Sequence, residues 1–231
     1  MIDKAATPAR WLVDTGGSRS DTWSELGNNL FARASHQARR GQHEQAIATL
    51  REATDLLTRA LGMWPRNATL VRSSLNVHLK CCEFLLALGD DAGCKAELAR
   101  AHALIERHQP ATLENCPLSS TCRELSTFTA RRALVTVGAA AALPWMDQAL
   151  QHHEDAVRFG VPKRVRPAPD TVQRLLRAEI LLQLDRADDA VRDLEATGKH
   201  LPTGYQQQVP SLVRHRQAQS VAAFLAEHPP R

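Results

Sequence analysis

Small residues recur in this sequence at a constant interval of 48 positions. Three columns share the interval: Ala34, Cys82, Ala130 and Ala178; Ala46, Cys94, Ala142 and Ala190; and Ala53, Ala101, Ala149 and Thr197. A fourth column is large and apolar: Leu50, Leu98, Met146 and Leu194. A small residue on one helix admits a large side chain from another, so the columns predict an array of closely paired helices. Such arrays bind partners along an extended surface.

Apolar residues recur at spacings of three and four through nearly every segment, and the two-residue alternation typical of strands is missing. This periodicity predicts an all-α fold. Glycine and proline divide the pattern into helices near 22–39, 43–62, 67–88, 91–109, 120–137, 143–159, 169–184, 187–199 and 208–227. We expect Ser20 and Asp21 to cap the first helix, and Asp170 to lie at the start of the seventh.

Gly41, Gly89 and Asp185 occupy one register position, between the two helices of a pair. A residue that tolerates left-handed backbone is favoured there, because helices often end on one. Val137 interrupts this column, but Gly138 follows it directly.

The combination resembles the tetratricopeptide repeat. The family's small, glycine and large apolar positions are matched by Ala34, Gly41, Ala46, Leu50 and Ala53 in the first repeat, and by Ala178, Asp185, Ala190, Leu194, Thr197 and Pro202 in the fourth. The resemblance covers roughly residues 22 to 205. It departs from the family in its period, which is usually about 34 residues. It also departs at the family's usual tryptophan position, which holds Leu30, His78, Ser126 and Arg174.

The resemblance implies a right-handed α-solenoid of antiparallel helix hairpins. We expect about four hairpins, at about 21–66, 67–115, 118–162 and 168–204, after a flexible N-terminal segment at 1–20. Residues 206–231 are expected to form a C-terminal capping helix and tail, because an array needs a terminal helix that is polar on its outer side.

By the same resemblance, the first helix of each hairpin lines a concave groove that binds a protein or peptide. The expected groove residues are Asn28, Phe31, Ser35, Asn76, Leu79, Glu83, Glu124, Thr127, Arg131, Val172, Leu175 and Glu179. For any one of them, packing against the next hairpin is the alternative. The lysine and asparagine clamp of the family's chaperone-binding members is replaced by Phe31 and Ser35, which disfavours that activity.

The mild positive charge allows contact with acidic partners but indicates them only weakly. The net charge is +4 with an isoelectric point near 9.0, and the N-terminal stretch lacks the apolar core of a secretory signal, so we expect a cytoplasmic protein. The apolar run 133–146 is too short to cross a membrane, and a buried helix explains it better.

A basic patch at Arg158, Lys163, Arg164 and Arg166 lies in a proline-flanked linker. It is a solvated loop or, alternatively, a nucleic-acid contact within 158–177.

Five cysteines in a chain with no export signal predict reduced, mostly buried thiols. Packing is favoured over a metal site for Cys82 and Cys94, and the spacing of Cys116 and Cys122 is too wide for a typical zinc ligand pair. The cluster 152–155 is expected to be solvated surface. With no phosphate loop or nucleophile motif in the sequence, we expect no catalysis, cofactor or metal. A self-associating array with a homodimer face at Trp11, Trp64 and Trp145 is the remaining alternative.

Overall fold

The computed structural model describes residues 19–108, 116–158 and 171–197. These residues form eight helices and no strand: α1 (Ser20–Arg39), α2 (His43–Met63), α3 (Ala68–Ala87), α4 (Asp91–Arg107), α5 (Cys116–Thr136), α6 (Ala139–Arg158), α7 (Thr171–Gln183) and α8 (Ala187–Thr197). The all-α prediction is therefore confirmed for this part of the chain. The chain divides into two compact units, residues 1–125 and 126–231.

In the first unit, α3 is the central helix. It packs against α1, α2 and α4, and α1 also packs against α2. Because neighbours cover most of its circumference, α3 buries side chains on several faces, among them Leu70, Val71, Leu75, Val77, Cys82 and Leu85. The side chain of Asn67 caps α3 by accepting hydrogen bonds from the amides of Thr69 and Leu70. Asp90 caps α4 by accepting from the amide of Gly93.

In the second unit, two apolar clusters hold the helices together. One cluster joins α5, α6 and α7 through Ala130, Ala142, Met146, Ala149 and Ile180. The other joins α7 and α8 through Ala178, Leu181, Ala190, Val191 and Leu194. Leu143 packs against both clusters, so the helices of this unit share a continuous apolar interior.

The repeated small residues lie at the helix contacts, as predicted. Every member of the three small columns is at most 1% exposed, and the large column at Leu50, Leu98, Met146 and Leu194 is buried with it. A fully buried leucine contributes about 1.5–3 kcal/mol relative to an exposed one. The large column therefore contributes apolar burial of this size to each helix pair.

The predicted turn residues also have the predicted backbone. Gly41, Gly89 and Asp185 have φ values of 77°, 75° and 59°, in the left-handed region. In the remaining repeat the left-handed residue is Gly138, with φ 120°, one position after Val137. The turn is thus present in each repeat, shifted by one residue where valine replaces the turn residue.

The predicted cap at Ser20 and Asp21 is wrong. Helix α1 already includes Ser20, and the residue before it, Arg19, has extended backbone and makes no capping hydrogen bond through its side chain. Asp21 lies in the first turn, where a carboxylate interacts favourably with the positive end of the helix dipole. It also accepts a hydrogen bond from the Arg19 guanidinium at 3.4 Å.

Two helices start earlier than predicted. Helix α6 starts at Ala139, four residues ahead, and carries Pro144 in its interior. The proline removes one backbone hydrogen bond, to the carbonyl of Ala140, but the alanines before it have the highest helix propensity of any residue. Helix α5 starts at Cys116 rather than near 120, with Pro117 in its first turn, where a missing amide is tolerated.

The prediction that the apolar run 133–146 is one buried helix is also wrong. The run is divided by the turn at Val137 and Gly138, between α5 and α6. Val135 and Val137 are 79% and 76% exposed. Within the described ranges, no helix combines the length and the apolar character that crossing a membrane requires. The predictions for Trp11, Asp170 and the helix near 208–227 lie outside the described residues.

Replacing Ala142 tests the packing of the small columns. Ala142→Leu adds a branched side chain at a position that is 0% exposed, so it is expected to lower the free energy of unfolding by about 1–3 kcal/mol. Ala140→Leu makes the same change at an exposed position of the same helix and serves as the control. Urea denaturation followed by circular dichroism measures both. Equal stability of the two variants would contradict the assignment of Ala142 to a close helix contact.

Candidate binding cleft

A cleft of about 1170 Å³ lies in the first unit between α2 and α4, with α3 as its floor. Its lining residues come from these three helices and from the turn after α2. They are Thr54, Thr58, Leu61, Gly62, Pro65, Arg66, Ser74, His78, Arg100, Ala103, Leu104, Arg107 and His108. The walls carry exposed residues such as Thr58, Arg66 and Ala103, whereas the floor residues Ser74 and His78 are buried.

The floor of the cleft contains a buried histidine–glutamate pair that an arginine joins. His78 and Glu97 are each 5% exposed, and Nδ1 of His78 lies 2.7 Å from Oε2 of Glu97. An ionised carboxylate only accepts hydrogen bonds, so Nδ1 is the donor. The Arg100 guanidinium donates to the other carboxylate oxygen of Glu97. These contacts orient the imidazole and leave Nε2 as its remaining polar atom.

The environment of Glu97 keeps it ionised. Burial by itself raises the pKa of Glu97, but the hydrogen bond from His78, the charge of His78 and both contributions from Arg100 lower it. The lowering prevails, and the pKa lies below its ordinary value. The carboxylate therefore holds its charge at neutral pH and is already compensated by its own partners.

His108 closes one end of the cleft. It is 7% exposed, and its Nδ1 lies 2.6 Å from the carbonyl oxygen of Pro65. Because a carbonyl accepts and does not donate, Nδ1 carries the proton and Nε2 is the atom left for a ligand. This hydrogen bond joins the end of α4 to the turn between α2 and α3 and fixes the width of the cleft at this end.

The cleft is cationic. Arg66 and Arg107 are exposed, and neither forms an ion pair with another residue in the described part of the chain. Arg100 adds a third guanidinium, whose side chain is 60% exposed beyond its contact with Glu97. No aspartate or glutamate is among the described residues that line the cleft. Its positive charge is therefore concentrated at its lining, in a chain whose net charge is only +4.

The ion pair on the floor has a counterpart in the second unit at twice the repeat interval. Arg174 follows His78 by 96 positions, and Asp193 follows Glu97 by 96. Asp193 is 3% exposed and accepts hydrogen bonds from Arg174 at 3.3 Å and Arg177 at 3.0 Å. Burial raises the pKa of Asp193 although both arginines oppose it. A buried acid on the second helix of a hairpin thus pairs with a base on the first helix in both repeats.

The groove residues predicted in the first two repeats lie on α1 and α3, which pack against each other. Of these, Asn28 and Glu83 are exposed, and Phe31, Ser35, Asn76 and Leu79 are half-buried. The ammonium of Lys80 lies 5.9 Å from the ring centres of Phe31 and Phe84 and pairs with Glu83. The α1–α3 face, defined by these residues, therefore combines an aromatic surface with charged groups.

The other predicted groove residues are placed differently. Glu124 and Arg131 on α5 are exposed, Val172 is 52% exposed, and Glu179 is half-buried. Thr127 is buried, and its hydroxyl accepts a hydrogen bond from Gln173 at 3.4 Å. Leu175 packs against the cluster of α7 and α8. Thr127 is therefore buried and Leu175 is half-buried against the apolar cluster, and the groove stays a prediction.

The predicted basic patch is described only at Arg158, which is exposed at the end of α6. Lys163, Arg164 and Arg166 lie outside the described residues. Two cations from the following helix are neutralised by acids. Arg174 and Arg177 pair with Asp193, and Arg177 also donates to Asp147 at 2.6 Å.

The cysteine prediction is confirmed where the structure describes it. Cys81, Cys82, Cys94 and Cys122 are buried and form no disulfide. The thiol of Cys82 donates to the carbonyl of Cys94 at 3.6 Å, across the helix pair.

The prediction of solvated surface at 152–155 is wrong for His152. Its Nε2 is buried with no hydrogen-bond partner among the described residues, and burial lowers the pKa of its imidazole against the opposing charge of Asp155.

The predicted homodimer tryptophans that are described, Trp64 and Trp145, are half-buried. Trp64 packs edge-on against Trp23 with ring centres 6.3 Å apart.

The cleft is not among the sites predicted from the sequence, although two sequence signals mark it. Arg100 and Arg107 are seven residues apart, which places them on one face of α4. His78 and Glu97 are polar residues at positions where the repeat register puts buried residues. Neither signal indicates that α2 and α4 stand apart above α3, because that separation depends on packing between hairpins.

Comparison with known proteins adds no family assignment: no protein-family model matches the chain, and the curated proteins contain no match.

Acid titration tests the ion pair at the cleft floor. The pKa of Glu97 is lower in the folded protein than its ordinary value of 4.5, so the ionised carboxylate stabilises the fold above about pH 4.5. That contribution is lost as the pH falls below this value. In the Glu97→Gln variant, the free energy of unfolding is expected to fall less steeply as the pH is lowered. Glu106→Gln, an exposed change on the same helix, should keep the wild-type slope. Identical slopes for all three proteins would refute the ionised pair.

Thiol labelling tests the burial of the cysteines. Burial raises the pKa of the Cys81 and Cys122 thiols to about 12 and also raises the pKa of Cys82. The thiolate is the reactive form, so iodoacetamide at about pH 8 should modify these residues slowly in the folded protein and readily after denaturation. Peptide mass spectrometry gives the extent at each position. Rapid labelling of Cys82 or Cys122 in the folded protein would contradict the structure.

Proposed function

We propose that this chain is a non-catalytic helical-repeat module that binds a segment of a partner protein in the cleft between α2 and α4. The observation that carries the proposal is the cleft itself, which combines apolar, hydroxyl and cationic groups along the junction of two successive helix pairs. Leu61 and Leu104 offer apolar contact area, and Thr54 and Thr58 offer hydroxyl groups.

The size of the cleft favours a chain segment as its occupant. Small-molecule pockets typically enclose about 300–1,000 Å³ and bury most of the ligand, whereas this cleft of about 1170 Å³ is open along walls that carry exposed side chains. An extended or helical peptide fills an open groove and leaves one side in water. Binding of this kind needs no reacting groups, which fits a module that acts by holding its partner.

The repeat architecture supports a binding module, although the resemblance places its groove on the first helices of the hairpins, and the cleft lies between the second helices α2 and α4. The shared 48-residue register, the left-handed turn in each repeat and the buried small columns are features that a tetratricopeptide-like array would have. We include a right-handed solenoid of about four hairpins in the proposal. In such arrays each hairpin contributes to one elongated binding surface, so a partner can contact several repeats.

The α1–α3 face is a second candidate surface. Its support is the cluster of Phe31, Lys80 and Glu83 beside the half-buried Asn76 and Leu79. Aromatic and charged groups of this kind are common in protein interfaces. Nucleic-acid binding through 158–177 has less support, because Arg174 and Arg177 are already paired with acids.

Partner capture with matched variants distinguishes the two surfaces. Ala103→Trp places an indole in the cleft, whereas Ala99→Trp makes the same change at an exposed position one turn earlier on α4, outside the cleft lining. Asn76→Ala with Glu83→Gln alters the α1–α3 face. Each protein is used to capture partners from a lysate of the source organism, followed by quantitative mass spectrometry and a melting curve.

We expect Ala103→Trp to reduce capture by about tenfold or more, equivalent to about 1.4 kcal/mol, with a melting temperature close to that of the wild type. Ala99→Trp and the α1–α3 variant should capture normally. Loss confined to the α1–α3 variant would move the site to that face. Undiminished capture by Ala103→Trp together with undiminished capture by the α1–α3 variant would refute both surfaces.

A further inference from the structure

We propose that the segment bound in the cleft is acidic, and that its carboxylates bind between Arg66 and Arg107. This inference rests on the proposed function and specifies the chemistry of the partner. It follows from the ion pairs that the cleft already contains, because only some of its cations have partners among the residues that the structure describes.

The buried base at the floor is compensated. His78 and Arg100 share Glu97, whose two carboxylate oxygens are both occupied. The two guanidiniums at the edge, on Arg66 and Arg107, have no ion pair with any described residue. Guanidinium presents several donors in a planar fork that matches a carboxylate, so two such groups at one cleft form a site for acidic side chains.

His108 positions the two arginines at this end of the cleft. Its Nδ1 donates to the carbonyl of Pro65 at 2.6 Å, and His108 follows Arg107 in the sequence as Arg66 follows Pro65. The hydrogen bond therefore joins the two backbone segments that carry Arg66 and Arg107. A bound acid would contact two guanidiniums whose backbones are held together.

The rest of the lining specifies a peptide rather than a nucleic acid or a lipid headgroup. Leu61, Ala103 and Leu104 form apolar walls, for which a phosphate backbone has no matching group. The hydroxyls of Thr58 and Ser74 can accept hydrogen bonds from backbone amides of a peptide. A segment that alternates apolar residues with aspartate or glutamate satisfies the apolar walls and the cationic edge together.

Selection from a random peptide library displayed on phage tests the inference. The wild type, Ala103→Trp, Arg66→Gln with Arg107→Gln, and Arg39→Gln with Arg40→Gln are each used as bait. The last variant removes the same charge from exposed positions outside the cleft lining and is the matched control. The most enriched peptide is then synthesised with its acids intact and with each acid changed to its amide, and its affinity is measured at several salt concentrations.

We expect wild-type selections to be enriched in acidic residues beside apolar ones, and expect this enrichment to disappear with Arg66→Gln and Arg107→Gln. The affinity of the acidic peptide should fall by about tenfold or more for that variant, and by much less for the control. The amide peptide should bind the wild type as weakly as the acidic peptide binds the arginine variant, and its affinity should depend less on salt.

Three outcomes would overturn the inference. The first is selection by the wild type of peptides that Ala103→Trp does not select and that are not enriched in acidic residues. That result would leave the proposed function intact and refute the acidic partner. An equal loss with the Arg39 and Arg40 variant would show attraction by net charge alone. Selection of the same peptides by wild type and Ala103→Trp, or of none by either, would refute the proposed function as well.

Discussion

The close approach of paired helices at alanine and cysteine positions is the constraint on which the rest of this structure depends. Ala46 and Cys94 have almost no exposed surface, and Leu50 and Leu98, one turn later on the same helices, are buried with them. A larger side chain at a small position would push the helices apart, since protein interiors are packed to near-crystalline density. The glycine and aspartate turns follow from the same constraint, because two helices so close together need a sharp reversal between them.

Close packing around α3 determines where polar groups can lie. With neighbours on three sides, polar residues of α3 need partners inside the protein, because a buried polar group without one is costly. His78 therefore pairs with Glu97 on α4, and Ser73 pairs with Ser24 on α1. An acid–base pair recurs at Arg174 and Asp193, so this position of the repeat accommodates such a pair in two of the four repeats, whereas Leu30 and Ser126 occupy it in the other two.

Much of the fold was predictable from the sequence, and each error has its own physical cause. Periodicity and the turn residues placed the helices, their register and the buried columns, because a helix face repeats regularly along the chain. Pro144 misplaced one helix start, since the helix propensity of the preceding alanines outweighed the proline. The apolar run 133–146 was misjudged as buried, although the turn residues divide it at Gly138, because apolar composition does not show that Val135 and Val137 face solvent. Of the predicted groove residues, Thr127 is buried and Leu175 is half-buried, and that packing depends on neighbours that one helix pattern does not specify.

By itself, the sequence determined which residues of each helix face the interior and where each pair reverses, because both depend on local periodicity and backbone preference. The tertiary structure alone decided which charged residues have partners. Arg174 and Arg177 reach acids on neighbouring helices, whereas Arg66 and Arg107 border an open cleft. Long side chains find partners across helix contacts between residues distant in the sequence, so their pairing depends on how the helices pack. The charge of the cleft, and the chemistry of the partner we propose for it, follow from that packing.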